Sequence, residues 1–544
     1  MLFDLDQLAD QSTRECDVCI VGSGAAGIAV TYALRGTGLR VLLLESGALA
    51  TEPRTQALYH TDFSAKIVKG ANEGRFRTLG GSTTQWGGQA LPLMPIDFAA
   101  RSWIPNSGWP IDPAILEPYY RRAEAFMLTD TNNYDTDPIG VFSITPPAIS
   151  GSVAHYHFSK WSKRPNLRHT YLEMLSAPGP IDIVCHANLM QIMLTPSHDR
   201  VHELVARSLT GHELRVRATH VVLAAGAIEI ARLLLASNTQ QRNGVGNDYD
   251  HVGRYFMDHP GGTLARVVPM QGLSSRESAR AIDSVQHVFN TGYTHGIKYT
   301  PRLSAHPDLQ RTHTILNASA FFSFQANPDS HFRKLRDAVS LFRYGKANLS
   351  TFSTIAQSML KLPEIVRPVY AYSVKGRMWT PDPTMNLVVL TEQEPNPESR
   401  ITLGASRDEL GMPRSKINWV LTDLTRRTIQ TFVGTLAEEF MRLKLCTIEL
   451  DPRFQAGATN SHDNWRDAIE DQSHHMGTTR MSASPAQGVV DTHCRVHGIE
   501  NLWVTSSSVF PTSGHSNPTL TLMALALRTA DTIAARLGKS IGGA

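Results

Sequence analysis

A strand–turn–helix–strand punctuated by glycines constrains this chain more than any other feature. Residues 17–47, DVCIVGSGAAGIAVTYALRGTGLRVLLLESG, run from an apolar stretch at 18–21 into Gly22, Ser23, Gly24, Ala25, Ala26 and Gly27. A helical pattern follows, then a second apolar stretch ending at Glu45. In G-x-G-x-x-G the first glycine allows a tight turn, the second lets backbone approach a pyrophosphate, and the third lets helix pack closely on strand. Glu45 lies eighteen positions after Gly27, near the spacing of a carboxylate that binds a ribose hydroxyl pair. An acid there disfavours a phosphorylated ribose, and so NADP. The pattern leaves NAD and FAD both open.

The remaining length admits two or three domains, and two large ones are expected of 544 residues. Hydrophobic residues at 42% and charged residues at 19% describe an ordinary globular composition. A net charge of +3 argues against a nucleic-acid partner. The start, MLFDLDQLAD, carries acids where a signal peptide has a basic end, and no run of about 18 apolar residues predicts an integral membrane segment. Five scattered cysteines fit reduced thiols and a cytoplasmic location. Cys16 and Cys19 form C-x-x-C, but Cys19 falls inside the first strand and reads as core.

Two further glycine-rich pieces point at the same ligand. Residues 75–93, RFRTLGGSTTQWGGQALPL, place Gly81, Ser82, Thr83, Trp86 and Gly87 in a stretch whose backbone meets little side-chain obstruction. Residues 220–238 run as an apolar strand into Ala225 and Gly226 and then a helix. The tail is chemically the richest part: QSHHMGTTRM at 472–481, a strand-like RVHGIENLWV at 495–504, and PTSGHSNPTLTLMALALR at 511–528. Asn517 stands where an N-cap is expected, with Pro518 at the first helical position and Thr519 after it. His475, His493, Cys494, His497 and His515 also lie here, but no finger or ribbon spacing is present and no metal is expected.

The order GSGAAG, Glu45, LGGSTTQWGG, VVLAAGA, GRYFMDHP at 253–260, HHMGTTRM, NLWV and NPTLTLMALAL resembles the glucose–methanol–choline (GMC) oxidoreductases. The likeness is strongest in the last seventy residues and weakest from 261 to 451. It implies an α/β fold: a Rossmann-type FAD-binding domain assembled discontinuously from residues 1–262 and 452–544, and a substrate domain, 263–451, with a large mostly antiparallel sheet and flanking helices. It implies oxidation of an alcohol by hydride transfer to flavin N5. By register His474 is the base and Asn517 the second catalytic position, and Leu189 and Ser507 join the cofactor contacts. A His–Asn pair is similar to the pyranose-oxidase, gluconate- and fructose-dehydrogenase and cholesterol-oxidase branches, and SGWPI at 107–111 and PYYRRAE at 118–124 resemble the sugar-oxidising ones.

Two departures carry consequences. Members with covalent FAD often have histidine before the tryptophan of the GGxSTxW segment; Gln85 stands there, so dissociable FAD is expected. Ser506 replaces an aspartate that follows NLWV in many members. The expected substrate is a secondary hydroxyl of a sugar or glycoside, with a non-sugar alcohol or sterol, or a lyase reaction on the same scaffold, as alternatives. Oxygen, a quinone or a cytochrome would reoxidise the flavin, and a homo-oligomer is compatible with the pattern. In the middle, β-rich runs are read at 263–268, 285–293 and 312–324, and a hairpin at 385–405 turned by Asn396, Pro397 and Glu398. Gln393 and His515 are candidate substrate contacts. Trp419 reads as core, and residues 331–377 read as a basic helical insertion.

Overall fold

A computed structural model describes residues 1–343, 362–455 and 464–541, with Thr351, Ser353 and Ile355. Its first sheet is built on the glycine turn. Strand Ser12–Val21 runs into the turn, helix Ala25–Leu34 follows, and Val41–Leu44 returns parallel beside the first strand. Val18, Cys19, Ile20 and Leu43 are fully buried. Each fully buried aliphatic side chain of this size contributes about 1.5–3 kcal/mol. Burial on both faces is what a parallel sheet flanked by helices requires.

Distant chain completes this sheet. Leu2–Asp4, Ile181–Cys185, Val41–Leu44, Ser12–Val21, Glu213–Leu223 and Leu502–Val504 pair successively in parallel. Val201–Arg207 and Asn188–Leu194 add an antiparallel edge. Only 502–504 of the expected run 495–504 is a strand, because the preceding residues turn back on Asp491, whose carboxylate accepts from the amides of His493 and Arg495. Helix Thr519–Arg536 then lies against helix Ala25–Leu34.

The second sheet is antiparallel throughout the described residues, in the order Thr447–Leu450, Gly261–Val268, Pro383–Thr391, Ala318–Ala326, Ile297–Ala305, Ala154–Trp161, Gln89–Ala90. Gly292–Thr294 pairs on the side of Ile297–Ala305. Two of these strands, Gln89–Ala90 and Ala154–Trp161, come from well before residue 263. The boundary expected at 262 is therefore crossed by the sheet itself. Helix Asp423–Arg442 packs on this sheet through the fully buried Ile429, Phe432, Leu436 and Phe440.

Three local expectations in the middle are corrected. Residues 285–289 belong to the amphipathic helix Ser275–Phe289, whose start is set by a capping box of Ser274 and Glu277. The run at 312–324 is divided between helix Pro307–His313 and strand Ala318–Ala326. The hairpin does not form: Pro383–Thr391 pairs within the second sheet, whereas Arg400–Arg407 pairs with Pro413–Asn418 in a separate three-stranded sheet. Of the basic insertion, helices His331–Arg343 and Leu362–Lys375 are present, and most of what lies between them falls outside the described residues.

The two outer glycines of the turn are required sterically. Gly22 has φ +97°, and a Cβ on Gly27 would lie 1.8 Å from the Gly22 carbonyl oxygen, while a Cβ on Gly24 meets nothing within 4 Å. Gly27→Ala should therefore cost about 1–3 kcal/mol or more, read as a lowered thermal midpoint. Gly24→Ala should leave the midpoint near that of the parent. Equal midpoints for both variants would contradict this packing.

Candidate active site

The C-terminal ends of the parallel strands open onto one cavity of about 550 Å³. Gly22 follows Val21, Glu45 follows Leu44, Ala225 and Gly226 follow Leu223, and Ser507 comes shortly after Val504. A crevice at the strand ends is where open α/β sheets take ligands. Three helices begin on this cavity, at Ala25, Ala227 and Thr519, and none has a side-chain hydrogen bond to its cap. Their first N–H groups and positive dipole ends thus face the same space. An elongated anionic cofactor fits this donor set, and the open space above Gly24 gives its pyrophosphate room.

Most of the expected site residues line this one cavity: Gly22, Ser23, Gly24, Ala25, Ala26, Glu45, Gly81, Ser82, Thr83, Trp86, Gly87, Ala225, Gly226, His474, Ser507, Asn517, Pro518 and Thr519. Gln85 lines it as well. Glu45 is held in place by the Ser23 amide at 3.0 Å, the Ser23 hydroxyl at 2.6 Å and the Gly47 amide at 2.8 Å. Four expected residues, Gly27, Leu189, Gln393 and His515, do not line it. Gly27 is packed beneath the turn. Leu189 lines a smaller adjoining cavity of about 60 Å³. His515 is buried, its ring 5.7 Å from that of His157.

Gln393 is buried and engaged within the protein. Its Oε1 accepts from the Asp258 amide at 3.0 Å and from Trp419 Nε1 at 2.8 Å. Its amide donates to the Val420 carbonyl at 3.2 Å. No atom is left over for substrate, so Gln393 is a support under Asp258 instead. Asn517 also departs from its expected role as a helix cap. Pro518 is the N-cap, and the Asn517 amide is directed to His474, with Nδ2 3.0 Å from His474 Nε2.

Two neighbours of His474 went without a role in the sequence, although GRYFMDHP contains both. His259 Nδ1 lies 2.9 Å from His474 Nδ1, and its Nε2 faces the Ser513 carbonyl at 3.4 Å. A carbonyl only accepts, so His259 carries its proton on Nε2 and its Nδ1 is an acceptor. His474 then donates from Nδ1, and its Nε2 keeps a lone pair toward Asn517. Asp258 fixes the loop that carries His474: its carboxylate accepts from the amides of His259 at 2.6 Å, Gln472 at 3.0 Å and His474 at 3.1 Å. The signal that could have found this pair is an acid and an imidazole side by side between a glycine and a proline.

Burial first, then the His259, His475 and Arg302 side chains, hold His474 well below the ordinary imidazole range. Burial likewise lowers His259 to about 4 and His475 to about 3. Asp258 is pushed up to about 8 by burial and by Asp471, against the three amides that draw it down. Every imidazole at this end of the cavity is therefore neutral at pH 7. The arrangement can accept a proton at His474 Nε2 from a group that enters beside Asn517.

Among the described residues no helix is long and apolar enough to cross a membrane. A family model described as GMC oxidoreductase matches residues 395–526. The chain is 24% identical to the 6'''-hydroxyparomomycin C oxidase of Streptomyces lividus over 96% of its length and 92% of that protein's. It is 24% identical to the fructose dehydrogenase large subunit of Gluconobacter japonicus, covering 96% of this chain and 98% of that one. Its fold is similar to that of pyridoxine 4-oxidase from Mesorbium loti, with a TM-score of 0.55 at 17% identity over 95% and 99% of the two chains. Over residues 395–526 the chain is similar to the GMC oxidoreductases, and over nearly its whole length to an oxidase and a dehydrogenase.

Proposed function

We propose that this protein oxidises a secondary hydroxyl of a sugar or glycoside to a ketone, with His474 as the base and Asn517 as the group that positions the substrate oxygen. The observation that carries the reading is the Nε2 lone pair of His474 opposite the Asn517 amide, at the end of a cavity built on a dinucleotide-type glycine turn. The sugar assignment draws on the two relatives named for a hydroxyparomomycin and for fructose. Bound FAD supplies the acceptor for the hydride that leaves the carbinol carbon.

The chain's own residues do the rest. His474 Nε2 takes the hydroxyl proton, and His259, accepting from His474 Nδ1, keeps the ring in the tautomer that leaves Nε2 open. A positive charge that develops on His474 is shared along this bond toward the Ser513 carbonyl. The Asn517 amide donates toward the oxygen as it loses its proton. The uncapped start of helix Thr519–Arg536 favours negative charge in the cofactor region. Asp258 and Gln393 hold the 472–474 loop at the distance the proton transfer needs.

FAD is non-covalent in this reading, since Gln85 offers no nucleophilic ring nitrogen. The chain folds as FAD-binding segments 1–262 and 452–544 around the substrate segment 263–451, with Gln89–Ala90 and Ala154–Trp161 reaching across. Five buried, unpaired cysteines suit a reducing compartment such as the cytoplasm. Oxygen and a quinone or cytochrome are both open as the final acceptor.

His474→Ala should slow anaerobic flavin reduction by about 10²–10⁴-fold while FAD stays bound; an unchanged rate would remove His474 from the mechanism. Acid or heat precipitation should release free FAD, and flavin pelleting with the protein would contradict the role given to Gln85. A base acts when neutral, and His474 protonates only well below its ordinary pKa of 6.5. The reduction rate should therefore show no fall as the pH is lowered through 6.5. A fall centred near 6.5 in the anaerobic profile would show an ordinary, solvated imidazole instead.

A further inference from the structure

Strand Ala154–Trp161 of the second sheet reaches the cavity through Trp161, and behind it the face shared with strand Ile297–Ala305 carries cations that have no carboxylate partner among the described residues. Along strand Ile297–Ala305 the side chains of Lys298, Thr300, Arg302 and Ser304 alternate onto one side. In register on Ala154–Trp161 are Trp161 opposite Lys298 and His157 opposite Arg302. Trp161 lines the cavity, and Lys298 Nζ sits 3.9 Å from the centre of its ring. Among the described residues no carboxylate pairs with Lys298 or Arg302.

Arg302 is the sharper anomaly. It is 3% exposed, and its hydrogen bonds are two long ones, each 3.4 Å, from Nε to the Ser159 hydroxyl and from Nη1 to the Ser319 hydroxyl. Its guanidinium lies 4.8 Å from the Phe321 ring centre. Elsewhere this fold compensates its buried arginines. Arg101 is gripped by both oxygens of Glu392, and Arg232 by Asp408. Arg377 and Arg480 lack an acid, but each donates to a backbone carbonyl. Arg302 has neither.

The groups beside it are unsatisfied too. His157 Nε2, both ring nitrogens of His515 and the Ser304 hydroxyl are buried without a hydrogen-bond partner among the described residues. Burial takes His157 down to about 3, so its ring is neutral. Arg302 is lowered to about 10 by burial alone and stays charged at pH 7. An uncompensated buried charge costs several kcal/mol, and a buried donor left idle adds to that. An anion placed against the guanidinium would offset both costs.

We propose that Arg302, with His157 and His515, is a subsite for a carboxylate on the substrate, so that the alcohol oxidised at His474 belongs to a sugar acid or hydroxy acid. This rests on the alcohol oxidation proposed above and names its substrate class. A carboxylate is favoured over a phosphate because the deep end of the face holds a single permanent charge, and a guanidinium fork matches a carboxylate in shape. Lys298, nearer the mouth beside Trp161, draws the anion in. No covalent step is involved; the subsite sets which hydroxyl reaches His474.

The test uses the FAD-bound protein and matched pairs: sugar acids such as glucuronate and gluconate, the methyl esters of the same acids, the neutral parent sugars, and glucose 6-phosphate. Anaerobic flavin reduction should favour the acids over their esters by about 10- to 100-fold, the ordinary strength of hydrogen bonds to a charged group. Arg302→Gln should collapse that ratio toward one, and Arg302→Lys should restore part of it. Independently of turnover, titration with simple monocarboxylates should perturb the flavin absorption of the parent protein, and the Arg302→Gln variant should lose that response. Esters or neutral sugars that match the acids, together with no spectral response to carboxylates, would overturn the subsite and leave alcohol oxidation standing. A preference for glucose 6-phosphate would overturn the carboxylate assignment. Flavin that no alcohol in any arm reduces would instead overturn the oxidation on which the subsite rests.

Discussion

Strand Glu213–Leu223 is the interaction on which the rest of the molecule depends. Along one edge it pairs in parallel with Ser12–Val21 over nearly its whole length. Along the other it pairs with Val201–Arg207 in its first half and with Leu502–Val504 at its end. Gly22 thereby comes to rest against Ala224 and Ala225 so closely that a Cβ would stand 2.9 Å from the Ala224 carbonyl oxygen. One strand thus brings together two glycine turns some two hundred residues apart, and draws in the tail that carries His474 and Asn517. Neither turn alone makes a cavity. Their apposition at the ends of parallel strands does.

From that assembly follows the electrostatic character of the site. Three uncapped helix starts face one space, so anionic charge is favoured where the cofactor lies. At the far end the imidazoles of His259, His474 and His475 are kept neutral by burial, and His474 also by its two neighbouring imidazoles. Arg302, contributed by the other sheet, is a permanent charge acting on His259 and His474, and Arg75 acts on His475. The two ends of the proposed site are thus charged by different means. Backbone dipoles act at one end and a buried guanidinium at the other.

The legible parts of the chain were those whose signal is local. The strand–turn–helix at 12–34 and its partner at 213–236 are written in apolar runs interrupted by glycine, and both occur where those runs stand. The middle misled for a physical reason. The sequence 383–407 has the alternation and turn residues of a hairpin, but its two strands find better partners in different sheets. Gln393, between them, is consumed by Asp258 and Trp419. His259 carried no periodicity and no spacing to mark it, because its role exists only through contact with a residue 215 positions away.

The register of His474 and Asn517 with a catalytic pair rested on resemblance to the GMC oxidoreductases; by itself the sequence determined the dinucleotide-type turn at 22–27 and the second strand–glycine–helix turn at 226. These follow from backbone sterics and short-range order, which act within a few residues. The tertiary structure alone decided which nitrogen of His474 carries the proton, that Asn517 is turned to His474 in place of capping a helix, and that Arg302 is buried with no carboxylate partner among the described residues. Those outcomes depend on hydrogen bonds and desolvation between groups hundreds of residues apart. Such terms have no value until the two sheets have met.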